Sequence, residues 1–383
     1  MSTNPSMQNS KRPELTYRDY RPGDERQIAR LMMPHWKSIR EDRDWIHEFI
    51  DSPDGPSVSR ICEVDGRIVG HNGLILMQMT VGSKTVLGGK AEGAVVSREY
   101  QKAAPLLVQL PPRDRPIFLN LSRQLWERAM AQDVAIMFGL PTRMALYGHL
   151  KAGWDIWVLR EQGLIRPINT LRSARLLSKK VSGSHWSQVM QWVFPIPLWL
   201  VMRFLRPVNR HRNRSVIPVD SFDDRIDHLW QSLAERHQMI SIKRTSRHLN
   251  WRFAHAPYVR AILVSNGQLR GYGIAVTRDG WEFTELQIVD LVVDDGYLDC
   301  LGQILRSLIE QAGSKIDYVT VNCFHNGCSY GARLNSELKK YFLPATRVKS
   351  KTAILKVNPL HCDETTVKGP GSWFINTIFT EMF

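Results

Sequence analysis

One order of elements recurs in this chain: strand, two helices, three antiparallel strands, helix, strand, helix and strand. A repeat on that scale constrains the fold more than any single motif. In the first copy, residues 15–22 alternate like a short strand, and Pro22-Gly23-Asp24 opens a helical pattern through Ile28, Leu31, Met32 and Trp36. A second helix is predicted over 42–51, up to the breaker Ser52-Pro53-Asp54-Gly55-Pro56. Strands at 58–64, 67–79 and 84–97 turn at Asp65-Gly66 and near Gly82, which reads as an antiparallel meander. A helix at 116–131, a strand at 134–139 and a helix at 143–152 complete the unit. The second copy runs as a strand at 215–219, helices at 222–238 and 246–254, and strands at 259–265, 268–277 and 281–293, with turns at Asn266-Gly267 and Asp279-Gly280. It continues with a helix at 297–312, a strand at 316–323, a helix at 328–340 and a strand at 347–357. The expectation is an α/β fold of the mixed-sheet (α+β) kind, present twice. The expected divisions are 13–165, a connector at 166–214, 215–360 and a tail at 361–383.

A length of 383 residues fits two domains of ordinary size. With 43% hydrophobic and 23% charged residues the chain has enough apolar material for substantial cores, which excludes disorder as its main description. Five scattered cysteines, an odd number, do not form a disulfide scaffold, and a reducing compartment is expected. Met1–Arg12 is polar with no apolar stretch behind it, so no secretory signal is read and a cytoplasmic protein is expected.

The net charge of +14 is concentrated. Residues 166–214 hold ten cations (Arg166, Arg172, Arg175, Lys179, Lys180, Arg203, Arg206, Arg210, Arg212 and Arg214) and no Asp or Glu. The same segment carries the apolar run 192–202 and the tryptophans Trp186, Trp192 and Trp199. The run is too short and too proline-broken to cross a bilayer, which takes about 20 helical residues. Two readings stand side by side: an anionic membrane surface, at the inner face, engaged through 186–214, or helices packed between the repeats. Nucleic acid is the weakest partner, because no recognised binding module accompanies the charge.

Three runs carry a family resemblance: Gly93-Ala-Val-Val-Ser-Arg-Glu-Tyr100, Ala135-Ile-Met-Phe-Gly-Leu-Pro141 and Tyr147-Gly-His-Leu-Lys-Ala-Gly-Trp154. They resemble the end of the fourth strand, the fifth strand and the following helix of the GNAT (Gcn5-related N-acetyltransferase) superfamily. In the second copy, Leu249-Asn-Trp-Arg-Phe253 is similar to a run found in large bacterial members. The pair looks like a tandem GNAT protein over about 15–160 and 215–357.

The resemblance implies acetyl-CoA or another acyl-CoA, with its pantetheine arm between the fourth and fifth strands, against Val95 and Val96, and its pyrophosphate at the next helix N-terminus. There the chain departs from the family's glycine pattern: Pro116 stands at a glycine place and Phe118 at the small residue. Arg113 and Arg115 would supply the charge instead. At the corresponding turn of the second copy stand Asp294 and Asp295, which would repel a pyrophosphate, so that copy is read as noncatalytic. Amine acylation needs a base, for which Glu92 is best placed, and an acid for the leaving thiolate, for which His149 and Tyr147 are candidates.

The implied activity is acyl transfer to a small-molecule amine, such as an amino sugar or amino acid derivative of an envelope or exopolysaccharide pathway. Two rivals stand beside it: a silent scaffold that binds a partner or membrane surface, and a transferase resembling the Fem type, using aminoacyl-tRNA. No metal is expected. Cys323, His325 and Cys328 fall at a strand end and turn, and zinc normally takes four ligands.

Overall fold

The computed structural model describes residues 14–35, 41–101, 116–169, 214–255, 257–280, 283–325, 327–369 and 373–375. The apolar run and the three tryptophans of the connector lie outside these residues, as do Arg113 and Arg115. The chain divides into two compact units, neither contiguous in sequence.

The first unit comprises 1–77, 87–157 and 353–362. Its strands are β1 (Leu15–Asp19), β2 (Val58–Val64), β3 (Arg67–Val81), β4 (Lys84–Val96) and β5 (Ile136–Gly139), neighbours in that order. The first pairings are antiparallel and β4–β5 is parallel. Helices α1 (Glu25–Met32) and α2 (Asp42–Phe49) lie between β1 and β2 in sequence. A reciprocal capping box of Glu41 and Asp44 fixes the start of α2. In α3 (Ile117–Met130), Ile117, Leu121, Leu125 and Ala129 recur every four residues and all are buried, giving one apolar stripe. Leu125 and Ala129 pack with Leu74, Leu76, Met137 and Trp154, and Ile117 and Leu121 with Cys62, Val64, Val69 and Val96. Helix α4 (Arg143–Lys151) is capped by Thr142, whose Oγ1 accepts from the Ala145 amide at 3.3 Å.

The second unit comprises 78–86, 158–352 and 363–383. It is built on β7 (Ser215–Pro218), β9 (Tyr258–Ser265), β10 (Gln268–Asp279), β11 (Thr284–Val293) and β12 (Tyr318–Phe324). β11 and β12 are parallel and the rest antiparallel. A short strand β8 (Ile240–Ile242) pairs with Met79–Val81 at the end of β3. Its helices are α5 (Arg225–His237), α6 (Ser246–Arg252), α7 (Leu301–Ala312) and α8 (Ser329–Leu338), with a short α9 (Glu364–Lys368) beyond.

The repeat extends to backbone detail. The β2–β3 turn has Asp65 and Gly66 at φ 48 and 79, and the β9–β10 turn has Asn266 and Gly267 at φ 51 and 74. Both are two-residue hairpins with left-handed central residues. The fourth strand of each copy ends in the same way: the Tyr100 amide bonds to the Ser97 carbonyl, and the Tyr297 amide to the Asp294 carbonyl.

The closing strands are exchanged between the copies. The first copy ends in β6 (Asp155–Pro167), the closing strand that the element order implies without giving its bounds; its 161–167 stretch pairs antiparallel with β12 inside the second unit. The second copy ends in β14 (Lys349–Val357), after a two-residue β13 (Leu343–Pro344). Its 354–357 stretch pairs antiparallel with β5 inside the first unit. Each unit is therefore completed by the other copy's last strand, and contiguous blocks at 13–165 and 215–360 do not outline either. β6 also takes in Arg166, whose guanidinium is buried and donates to the Tyr341 carbonyl at 2.7 Å. Arg214 pairs with Asp299 at 2.9 Å. Two of the connector's ten cations thus serve the folded second unit.

Candidate active site

In the first unit the β4–β5 pairing runs from Gly88 opposite Ile136 to Ala91 opposite Gly139, and stops. β4 continues through Glu92, Gly93, Ala94, Val95 and Val96 without β5 beside it. Gly93 sits at φ 68, where an L side chain would be strained, and a Cβ there would come within 3.0 Å of Phe49. Its carbonyl accepts from Nδ1 of the fully buried His71 at 2.8 Å. Burial lowers the His71 pKa to about 4, so the ring is neutral. The left-handed backbone at Gly93, two residues past the end of the pairing, is thereby fixed from the neighbouring strand.

Glu92 occupies the first position beyond the paired stretch. Its Oε2 lies 2.9 Å from Nζ of Lys90, two residues earlier and so on the same strand face. Both side chains are nearly buried, 7% exposed for Lys90 and 10% for Glu92. Sequence reasoning passed over Lys90, although the i, i+2 spacing of opposite charges on a strand is itself a signal.

The two candidates for the acid separate sharply. His149 is 3% exposed, edge-on to Phe118 (5.0 Å) and Trp154 (5.4 Å), with Nδ1 3.0 Å from Ser122 Oγ. Burial lowers its pKa to about 4, so at neutral pH it has no imidazolium proton to give. Tyr147 is 65% exposed, with Lys151 Nζ 4.6 Å from its ring centroid. Helix geometry explains the difference: residues two apart point to opposite sides, so α4 buries one of the pair and presents the other.

Of the cofactor candidates, Val95 and Val96 are buried, and Val96, Ile117 and Phe118 meet in one apolar cluster. The Val96 carbonyl accepts from Gln101 Nε2 at 2.8 Å. Pro116 is the cap of α3 and its carbonyl accepts from the Asn120 amide, so the amides of Ile117, Phe118 and Leu119 are the leading donors of that helix.

The matching place in the second unit is built differently. β11–β12 pairing also stops early, at Ile288 opposite Val321, after which a bulge shifts the β10–β11 register. Here the Tyr330 hydroxyl accepts from the Val293 amide and donates to the Val293 carbonyl, both at 2.9 Å. Val293 is the counterpart of Val96. The residue of α4 matching Tyr330 is Met144, which is 88% exposed. Phe374 and Ile375 line the gap between β11 and β12, leaving a cavity of about 20 Å³, room for roughly one water. Phe374 is tied to β8, its amide bonding to the Ile240 carbonyl and its carbonyl accepting from Ser241 Oγ at 2.7 Å. Asp294 and Asp295 are held by Arg236, Arg270, Arg333 and His237.

Cys323 and Cys328 are buried, and burial pushes the Cys323 thiol up to about 12, while His325 Nε2 is 3.2 Å from Gln162 Oε1. Among the described residues no three His, Cys, Asp or Glu side chains converge as metal ligands, and no helix is long and apolar enough to cross a membrane.

Solved structures of the GNAT fold share this architecture. The chain is similar to GCN5-related N-acetyltransferases from Anabaena variabilis (12% identity, TM-score 0.58, 90% of this chain and 73% of that one) and Kribbella flavida (13%, 0.57, 90% and 71%). It is also similar to a conserved protein of unknown function from Enterococcus faecalis (11%, 0.59, 90% and 72%). The chain carries the GNAT fold in tandem. No protein-family profile and no curated protein matches the sequence.

Proposed function

We propose that the first copy is an acyl-CoA-dependent N-acyltransferase, an acetyltransferase in the simplest case, acting on a small-molecule amine. The observation that carries this reading is the contrast between the two strand gaps. In the first, a nearly buried carboxylate stands at the mouth, and the side chain at the Tyr330 position points to solvent. In the second, the chain's own tyrosine, phenylalanine and aspartates occupy the equivalent positions. The second copy is accordingly proposed to be noncatalytic.

The residues of the first gap fit an acyl-CoA. β4 beyond Ala91 offers a backbone edge for the amides of a pantetheine arm. The leading amides of α3 offer donors to a pyrophosphate, with Arg113 and Arg115 proposed as supplementary charge. When bound, acetyl-CoA supplies an acyl group activated as a thioester. Glu92 takes the proton from the amine, held in place by Lys90 on its own strand and by the His71-fixed kink after it. Tyr147 donates the proton to the departing sulfur; His149, neutral and enclosed, supports α4 instead.

The test is turnover of acetyl-CoA, followed as thiol release across a panel of primary amines. Glu92→Gln should lower kcat about 100-fold or more, in line with loss of a general base, with affinity for acetyl-CoA unchanged. Unaltered turnover in that variant would remove Glu92 from the mechanism.

A further inference from the structure

The atom bound to the proposed base is itself a primary amine. Lys90 Nζ lies 2.9 Å from Glu92 Oε2, at the distance a general base requires of the nitrogen it deprotonates. The pair straddles Ala91, the last residue of β4 still paired with β5. Both side chains are almost withdrawn from water, and Gly93 next to them is locked by His71. An external amine that is to reach Glu92 must come to the place where Lys90 already presents one.

We propose that Lys90 is an acylation site of this protein: with acyl-CoA bound and no external amine present, the first copy transfers the acyl group to Lys90 Nζ. This rests on the acyltransferase reading given above. The step balances without any further reagent. Glu92 accepts one proton from the Lys90 ammonium, and the neutral nitrogen attacks the thioester carbonyl. The N–C bond forms, the C–S bond breaks, and the second nitrogen proton goes to the departing thiolate, leaving acyl-Lys90 and coenzyme A; Glu92 releases its proton to water. Holding amine and base at fixed distance favours this nitrogen over any lysine that must arrive by diffusion. The product is a neutral amide, so the ion pair with Glu92 is lost. The modification therefore switches off the arrangement that made it, and it marks alkyl amines of lysine type as the acceptor class the site accommodates.

The experiment incubates the full chain with acetyl-CoA and no amine and maps acetyl-lysine by peptide mass spectrometry over time. The exposed Lys84 and Lys151 serve as internal references. Lys90 should be modified at least about ten-fold faster than either, the reverse of the order set by exposure. Glu92→Gln should abolish that preference and leave the references unchanged. Modification of Lys84 and Lys151 with Lys90 untouched, or an undiminished Lys90 rate in Glu92→Gln, overturns the proposal. A readout free of turnover is the melting temperature of Lys90→Gln, which carries the charge state of the acetylated residue. It should fall by about 5 °C or more, because the nearly buried ion pair with Glu92 is broken; an unchanged value overturns the pairing on which the proposal stands. Protection of the wild-type chain against heat by acetyl-CoA separates the two claims. Protection with Lys90 unmodified sinks self-acylation alone, whereas no protection sinks the acyltransferase reading with it.

Discussion

The first copy expressed alone, as residues 1–169, will not fold. Its sheet is completed by β14, and without that strand β5 becomes an edge although Ile136, Met137, Phe138 and Gly139 are all buried. Ala353, Ile354, Leu355 and Val357 are each 5% exposed or less, and Ile354 packs directly into the core with Leu125, Met137 and Trp154. Removing a buried Leu or Ile side chain costs about 2–5 kcal/mol. Losing Ile354, Leu355 and Val357 together therefore matches the whole stability of a typical domain, about 5–15 kcal/mol. Circular dichroism of the fragment should show no cooperative transition, and Ile354→Asp in the full chain should remove the first unit's transition while the second unit persists. A fragment that melts cooperatively would mean that the first copy closes on its own β6 and that the exchange is dispensable.

The second large effect is expected at Arg244. Its guanidinium is fully buried, with Nε 3.6 Å from Asp290 Oδ2. It donates to Ser241 Oγ and the Ile242 carbonyl, and lies against the rings of Trp230 (4.4 Å) and Phe374 (5.0 Å). Asp290 also accepts from the Tyr272 hydroxyl at 2.8 Å. Arg244→Met keeps most of the packing volume and removes the cation beside the buried Asp290 carboxylate, which costs about 3–5 kcal/mol. Adding Asp290→Asn removes the buried negative charge and should recover more than half of that loss, a coupling that a double-mutant cycle in urea reads directly. A loss below about 1 kcal/mol in the single variant would mean that the pair is not closed off from water.

The element order was legible because its punctuation is local. Asp65-Gly66 and Asn266-Gly267 demand left-handed turns wherever they stand, and the four-residue spacing from Ile117 to Ala129 demands a helix. The exchange of β6 and β14 was not legible, since a closing strand has the same pattern whichever sheet receives it. β8, three residues long, carries no period to read. At the proposed site, the carboxylate of Glu92 is readable from its place on the fourth strand, whereas which of Tyr147 and His149 is buried needed the orientation of α4. A helical wheel gives part of that answer, because His149 shares a side with the inward-packing Leu146. The closure of the second gap depends on Tyr330 and on Phe374, which lies 44 residues further along the chain. No window on the sequence holds both.

Titration calorimetry of the full chain with acetyl-CoA should show binding with a stoichiometry of one, for a single acyl-CoA site in the first copy, retained in Tyr330→Phe. No heat would contradict the enzyme reading, and a stoichiometry of two would contradict the closed second copy.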